Sequence, residues 1–260
     1  MAGAMRSLIA FPCAGETLIG TLDAAPGRIG LLIVSGGSEI RCGAHRGMAL
    51  LAAHVAARGY PAFRYDRRGI GDSTGENNGY LSASDDLAAA AAAFRAQAPQ
   101  LAAILAFGNC DAASTLALFG RGAGIDRLLL ANPWTIEDVD DLPPVAALRA
   151  TYRQRLTSPQ AWARLLTGRI DVMKAIRGLR KASRPPSNSL ATQIVTAVER
   201  WGDAVTIVLA TGDATAQAYR AAARHLPAKA IDTTSHSFAR EADQRQLHDI
   251  VLAALADAEI

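Results

Sequence analysis

Residues 101–120, LAAILAFGNCDAASTLALFG, narrow the possible folds more than any other stretch. An apolar run, 101–107, stops at Gly108-Asn109-Cys110-Asp111-Ala112 and opens into a second apolar run, 112–119. The first run is short and bounded, as a buried strand is; the second carries no breaker and predicts a buried helix. A strand that turns into a helix through a small residue, any residue, a nucleophile, any residue and a small residue is a nucleophile elbow, usually G-x-S-x-G. Here Cys110 stands where serine is usual and Ala112 where the second glycine is. Small flanks are needed because helix and strand approach closely at the turn. A thiolate is a stronger nucleophile than a hydroxyl, and the positive end of the helix dipole favours negative charge there. On this stretch alone a second role for Cys110 stays open, that of a small buried hydrophobe at a strand end.

The surrounding sequence alternates between strand and helix patterns. Strands are expected over 6–11 and 16–23, joined as a hairpin by Pro12-Cys13-Ala14-Gly15, then over 29–34, 61–65, 125–131, 204–210 and 228–232. The run 29–34, IGLLIV, is apolar throughout, the mark of a strand covered on both faces. Helices are expected over 45–58, ended by Gly59, over 85–97 with Ser82 as cap, and over 214–224 and 240–258. Such alternation predicts a mostly parallel, doubly wound α/β sheet, whose ligands bind beyond the carboxyl ends of the strands. Between 132 and 201 no clear strand is present, only helical stretches at 145–156 and 160–179 and a connection at 184–189.

Composition excludes several classes. The chain has 260 residues, half of them hydrophobic, enough for one large core. A formal net charge of +3 is too near neutral to argue for nucleic acid. Three scattered cysteines, Cys13, Cys42 and Cys110, make no disulfide framework and fit a reducing, cytoplasmic compartment. No segment reaches the roughly 18 uninterrupted apolar residues of a membrane span. Nothing in the sequence calls for a cofactor or a metal.

An elbow cysteine that acts as a nucleophile needs a histidine to take its proton and a carboxylate to orient that histidine. On an elbow sheet these follow in the order nucleophile, acid, histidine, on loops after strands. That order selects Cys110, Asp213 and His236: Gly212-Asp213 directly follows the strand 204–210, and His236 lies between the last strand and the last helix. Asp138 and Asp140, after the strand 125–131, remain alternatives for the acid. The oxyanion hole is expected from two backbone N–H groups, that of Asp111 and that of Gly37 in Ser35-Gly36-Gly37. Ser38 is the alternative for the second of these donors, and Ser38 and Arg41 are candidate substrate-binding residues.

These motifs together resemble the α/β-hydrolase fold across essentially the whole chain outside 133–201. Ser-Gly-Gly at 35–37 resembles that family's His-Gly-x, with serine for histidine, and YDRRGIGDS at 65–73 resembles its D-x-R-G-x-G-x-S loop. More narrowly, GGSEIRCGAHRG, YDRRGIGDS, GNCDAAS, NPW, TGDATA and SHSF resemble the hydrolase 1 group associated with exosortase A systems. That group carries cysteine in the elbow and is linked by gene context to exopolysaccharide and cell-surface biosynthesis. The chain is also similar to dienelactone hydrolases, which share a Cys-His-Asp triad. The resemblance implies a hydrolase or acyltransferase without naming its substrate; attack of Cys110 on an ester or thioester is the leading expectation, with a non-catalytic binding protein on the same scaffold as the alternative.

The expected division is a hydrolase core, 1–132 and 202–260, with a helical lid, 133–201, inserted over the sheet edge. Between positions 149 and 184 the insertion holds ten Lys and Arg against one acid, Asp171. Charge runs often mean only a solvated surface; as a lid, this one would attract a substrate with an anionic part.

Overall fold

A computed structural model describes residues 5–136 and 189–259. Eight strands form one sheet: β1 (Arg6–Cys13), β2 (Glu16–Asp23), β3 (Ile29–Val34), β4 (Ala62–Tyr65), β5 (Ala103–Asn109), β6 (Arg127–Ala131), β7 (Val205–Ala210) and β8 (Lys229–Ile231). Their spatial order is β1-β2-β4-β3-β5-β6-β7-β8. The β1–β2 and β2–β4 pairs are antiparallel and the other five parallel. The helices are α1 (Gly47–Ala56), α2 (Ser84–Gln97), α3 (Asp111–Phe119), α4 (Leu190–Glu199), α5 (Ala214–Ala222) and α6 (Glu241–Ala256).

Every residue of β3 is buried, as its unbroken apolar run requires. Along β5 the side chains alternate between two cores. Ile104 and Ala106 join Leu87, Phe94, Leu116, Ile194 and Val198 of α2, α3 and α4. Leu105 and Phe107 join Leu51, Val55, Leu247 and Val251 of α1 and α6 on the opposite face. The sheet is therefore sandwiched between two helical layers, and all its parallel strands end at one edge. Residues following those ends meet there, which is how positions far apart in sequence come to share a site.

Several local expectations are corrected. β1 runs through Pro12 to Cys13, so the hairpin turn is Ala14-Gly15 alone, both at positive φ (49° and 87°), as a two-residue turn matched to strand twist requires. Pro12 is tolerated because β1 is an edge strand. Ser82 does not cap α2: its hydroxyl donates to the Gly79 carbonyl, and Ala83 holds the cap position without a side-chain bond. Helix α1 starts two residues late because His45 and Arg46 take left-handed conformations, with φ of 52° and 60°.

Helix α4 was not expected from sequence. It lies within the stretch assigned to the lid, and Ser189 caps it by accepting from the Thr192 N–H at 3.2 Å. Its Ile194 and Val198 pack into the same core as Leu116 of α3. Trp201 follows, donating from Nε1 to the Ala117 carbonyl at 3.1 Å. The helical stretches at 145–156 and 160–179, the connection before Ser189, the basic run, and Asp138 and Asp140 lie outside the described residues.

Candidate active site

Cys110 sits between β5 and α3 at φ 62°, ψ −127°. Positive φ is strained for a side-chain-bearing residue and persists only where the surroundings impose it. Here the Cys110 N–H donates to the Ala131 carbonyl at 3.0 Å, and the Cys110 carbonyl accepts from Trp134 N–H at 3.2 Å. Gly108 gives the room the turn needs: a Cβ there would lie 2.8 Å from the Ala112 carbonyl carbon and 2.9 Å from Leu116 Cδ1. The elbow read from sequence is present, with cysteine at its apex.

His236 and Asp213 reach the same place. His236 Nδ1 lies 3.1 Å from Asp213 Oδ1, and the ring lies close enough to Cys110 for the thiol to raise its pKa. Asp213 is the N-cap of α5, and its other oxygen accepts from the Ala216 N–H at 3.0 Å. Gly212 permits this short approach, since a Cβ would sit 2.6 Å from Thr234 Cγ2. Burial pushes the Asp213 carboxyl up, but hydrogen bonds from His236 and the Ala216 N–H hold it net below the usual carboxylate range. The hydrogen bonds to Asp213 and then Cys110 push His236 up to about 10 against the opposing effect of burial.

The loop after β3 faces this pair. Gly37 takes φ 54°, and a bond from Glu39 N–H to the Gly36 carbonyl closes a turn that leaves Ser38 exposed. The Gly37 N–H does not stand free: it donates to both carboxylate oxygens of Asp111, at 2.8 and 2.9 Å. Arg67, buried at 3% side-chain exposure, donates to the Gly37 carbonyl and lies 3.6 Å from Asp111 Oδ2. A Cβ on Gly36 would fall 2.3 Å from Asp111 Oδ1, so the carboxylate fits only against glycine.

Arg41 does not join this group. Its guanidinium is held by Asp66, by Asp72 at 3.0 Å and by Thr21 Oγ1 at 3.0 Å, beside a separate cleft near β1 and β2. Asp66 is wholly buried and also accepts from the Arg41 N–H. The YDRRGIGDS loop thereby ties down both ends of the 35–43 loop, through Asp66 on Arg41 and Arg67 on Gly37.

Three polar residues at the site went unnoticed in the sequence. Asn109 and Asn132 both donate to the His236 carbonyl, at 3.1 and 3.2 Å, and Asn132 also donates to Asn109 Oδ1 at 3.0 Å. Glu39 lines a small crevice with Asn109, Ser237 and His248. Partial removal from water pushes its carboxyl up, offset in part by the Ala44 N–H and His236 and reinforced by Asp111. Among the described residues no group of three or more His, Cys, Asp or Glu could hold a metal ion. Nor is any described helix long and apolar enough to cross a membrane.

No protein-family model and no curated protein matches the chain. Solved structures do. An esterase of Pyrococcus furiosus, Pf2001, superimposes with a TM-score of 0.65 at 14% identity, over 98% of this chain and 90% of that one. The α/β-hydrolase GrgF from a Penicillium species gives 0.62 at 19% identity, over 96% and 98%. The thioesterase domain from the curacin biosynthetic pathway gives 0.57 at 13%, over 95% and 99%. At these identities the likeness establishes architecture, and the architecture is the α/β-hydrolase fold.

Proposed function

We propose that this chain is a cysteine-dependent hydrolase that cleaves an ester or thioester by acyl transfer. The observation that carries the reading is Cys110 on the strained elbow, with His236 close enough for the thiol to raise its pKa and its Nδ1 3.1 Å from Asp213 Oδ1. His236 takes the thiol proton as the sulfur attacks the substrate carbonyl. The carbonyl oxygen becomes an oxyanion received by the Asp111 N–H and an N–H of the Gly37 loop. His236 then protonates the departing alkoxide or thiolate, leaving an acyl group on Cys110. Water attacks that thioester with His236 as base, the acid departs and the thiol–imidazole pair is restored. Asp213 holds the ring in the correct tautomer throughout. An alcohol or thiol in place of the water would make the same machinery an acyltransferase.

The fold's likeness to an esterase and a thioesterase domain supports this class of substrate. The basic stretch between positions 149 and 184 supports an anionic portion on the substrate, drawn in by the lid assigned to 133–201. Ser38 on the exposed turn would meet the substrate first. Three free cysteines support a reducing, cytoplasmic setting. The resemblance to the exosortase-associated group supports a role in exopolysaccharide or cell-surface biosynthesis. Turnover of p-nitrophenyl acetate and of short acyl-CoAs by wild type and Cys110→Ala tests the reading. Loss of turnover in the variant is expected; wild-type rates would remove Cys110 as nucleophile.

A further inference from the structure

The residue after the nucleophile has a second role that its place in the sequence does not reveal. Three observations meet at Asp111. Both of its carboxylate oxygens are bonded to the Gly37 N–H, one of the donors the acyl-transfer reading assigns to the oxyanion. Gly36 has no Cβ where the carboxylate lies, so the loop is shaped to admit it. Arg67 waits alongside, 3.6 Å away at Nη2, while its Nη1 is buried without a hydrogen-bond partner among the described residues.

A carboxylate on the Gly37 N–H and an oxyanion at that same N–H exclude one another, because both are anions competing for one donor. A buried guanidinium nitrogen without a partner is costly, and a full ion pair with a carboxylate would relieve that cost. The departing carboxylate therefore has a destination already charged and close by.

We propose that Asp111 is a positioning residue that gates the oxyanion hole. In the closed arrangement seen here its carboxylate occupies Gly37. In the open arrangement it moves onto Arg67 and frees the Gly37 N–H for the substrate carbonyl. The two arrangements differ by a small side-chain movement that exchanges one shared neutral donor, the Gly37 N–H, for the charged guanidinium. An incoming carbonyl tips the balance by taking the vacated donor. The gate shields the hole between turnovers and makes the rate of acylation depend on Asp111 leaving.

The gate rests on the acyl-transfer reading, and one set of variants separates the two. The acylation burst of p-nitrophenyl acetate is followed for wild type, Asp111→Ala, Asp111→Asn and Cys110→Ala. Asparagine keeps an oxygen for the Gly37 N–H but loses the charge that draws it to Arg67, so its hole stays closed. Alanine opens it permanently and leaves the backbone N–H of position 111 in place. Asp111→Ala is expected to acylate faster than wild type. Asp111→Asn should be slower by about 100-fold or more, in keeping with the loss of one oxyanion donor. A carboxylate that merely braces the loop gives the reverse order, because asparagine preserves the bond and alanine does not; that order would overturn the gate. A burst retained by Cys110→Ala would instead overturn the underlying reading.

Discussion

Asn132 holds His236 by its backbone: the Asn132 side-chain amide donates to the His236 carbonyl at 3.2 Å, although 104 positions separate them. Asn132 is fully buried, sits at φ 43°, and accepts from the Ala210 N–H at 2.9 Å. It therefore joins the ends of β6 and β7 to the histidine loop, and asparagine suits a left-handed backbone better than most residues.

Asn132→Ala strips these bonds at once. Loss of buried hydrogen-bond partners costs about 1–3 kcal/mol, and each kcal/mol lowers the melting temperature of a chain this size by about 2–4 °C. Turnover should fall further than stability explains, by roughly 100-fold, because a misplaced base loses its alignment. Calorimetry and steady-state kinetics on the purified variant check both.

Asp213→Asn tests the acid. It leaves the α5 cap nearly intact but removes the charge behind His236. In a serine triad such a change lowers turnover on the order of 10⁴-fold. A smaller drop is expected here, because cysteine needs less help to ionise. Asp138→Asn and Asp140→Asn should leave turnover close to wild type. Loss of activity in either of these, with Asp213→Asn active, would transfer the role to the acidic start of the 133–201 stretch.

The pH dependence of stability follows from His236. Its folded pKa, about 10, lies above the ordinary value of 6.5, so the folded state binds a proton that the unfolded state releases. The contribution is fully present below pH 6.5 and is lost as pH rises through 10. Because the side chain is 39% exposed, solvent screens part of it. Melting temperature measured from pH 6 to 10.5 should decline for wild type, and the decline should flatten in His236→Gln. Equal slopes would mean that His236 is not held by Asp213 and Cys110.

Much of the fold was legible because buried parallel strands must be short apolar runs, and β3, β5, β6 and β7 are. Each expected start or end moved by no more than two residues, since strand pairing and not hydrophobicity decides the last residue. Helix α4 carries only a faint sequence signal, Leu190, Ile194 and Val198 recurring every four residues behind Ser189. Its β-branched residues weakened the helical signal, and the long strandless stretch absorbed it. At the site, the order of Cys110, Asp213 and His236 along the chain was enough to name residues that the fold then brought together. Asn109, Asn132 and Glu39 left no such trace. Their contacts arise only when loops from separate strands converge at the sheet edge, as the 127 positions between Asn109 and His236 illustrate.

The most direct test of the account is the covalent intermediate itself. Intact-mass spectrometry after rapid acid quench, with acetyl-CoA and p-nitrophenyl acetate as donors, reads the acyl group on the protein. Wild type is expected to gain one acetyl group, mapped by peptide digestion to Cys110, and His236→Gln should accumulate it slowly. Cys110→Ala should gain none. An acetyl group that forms equally on Cys110→Ala, or that maps to another residue while Cys110 stays free, would contradict the account.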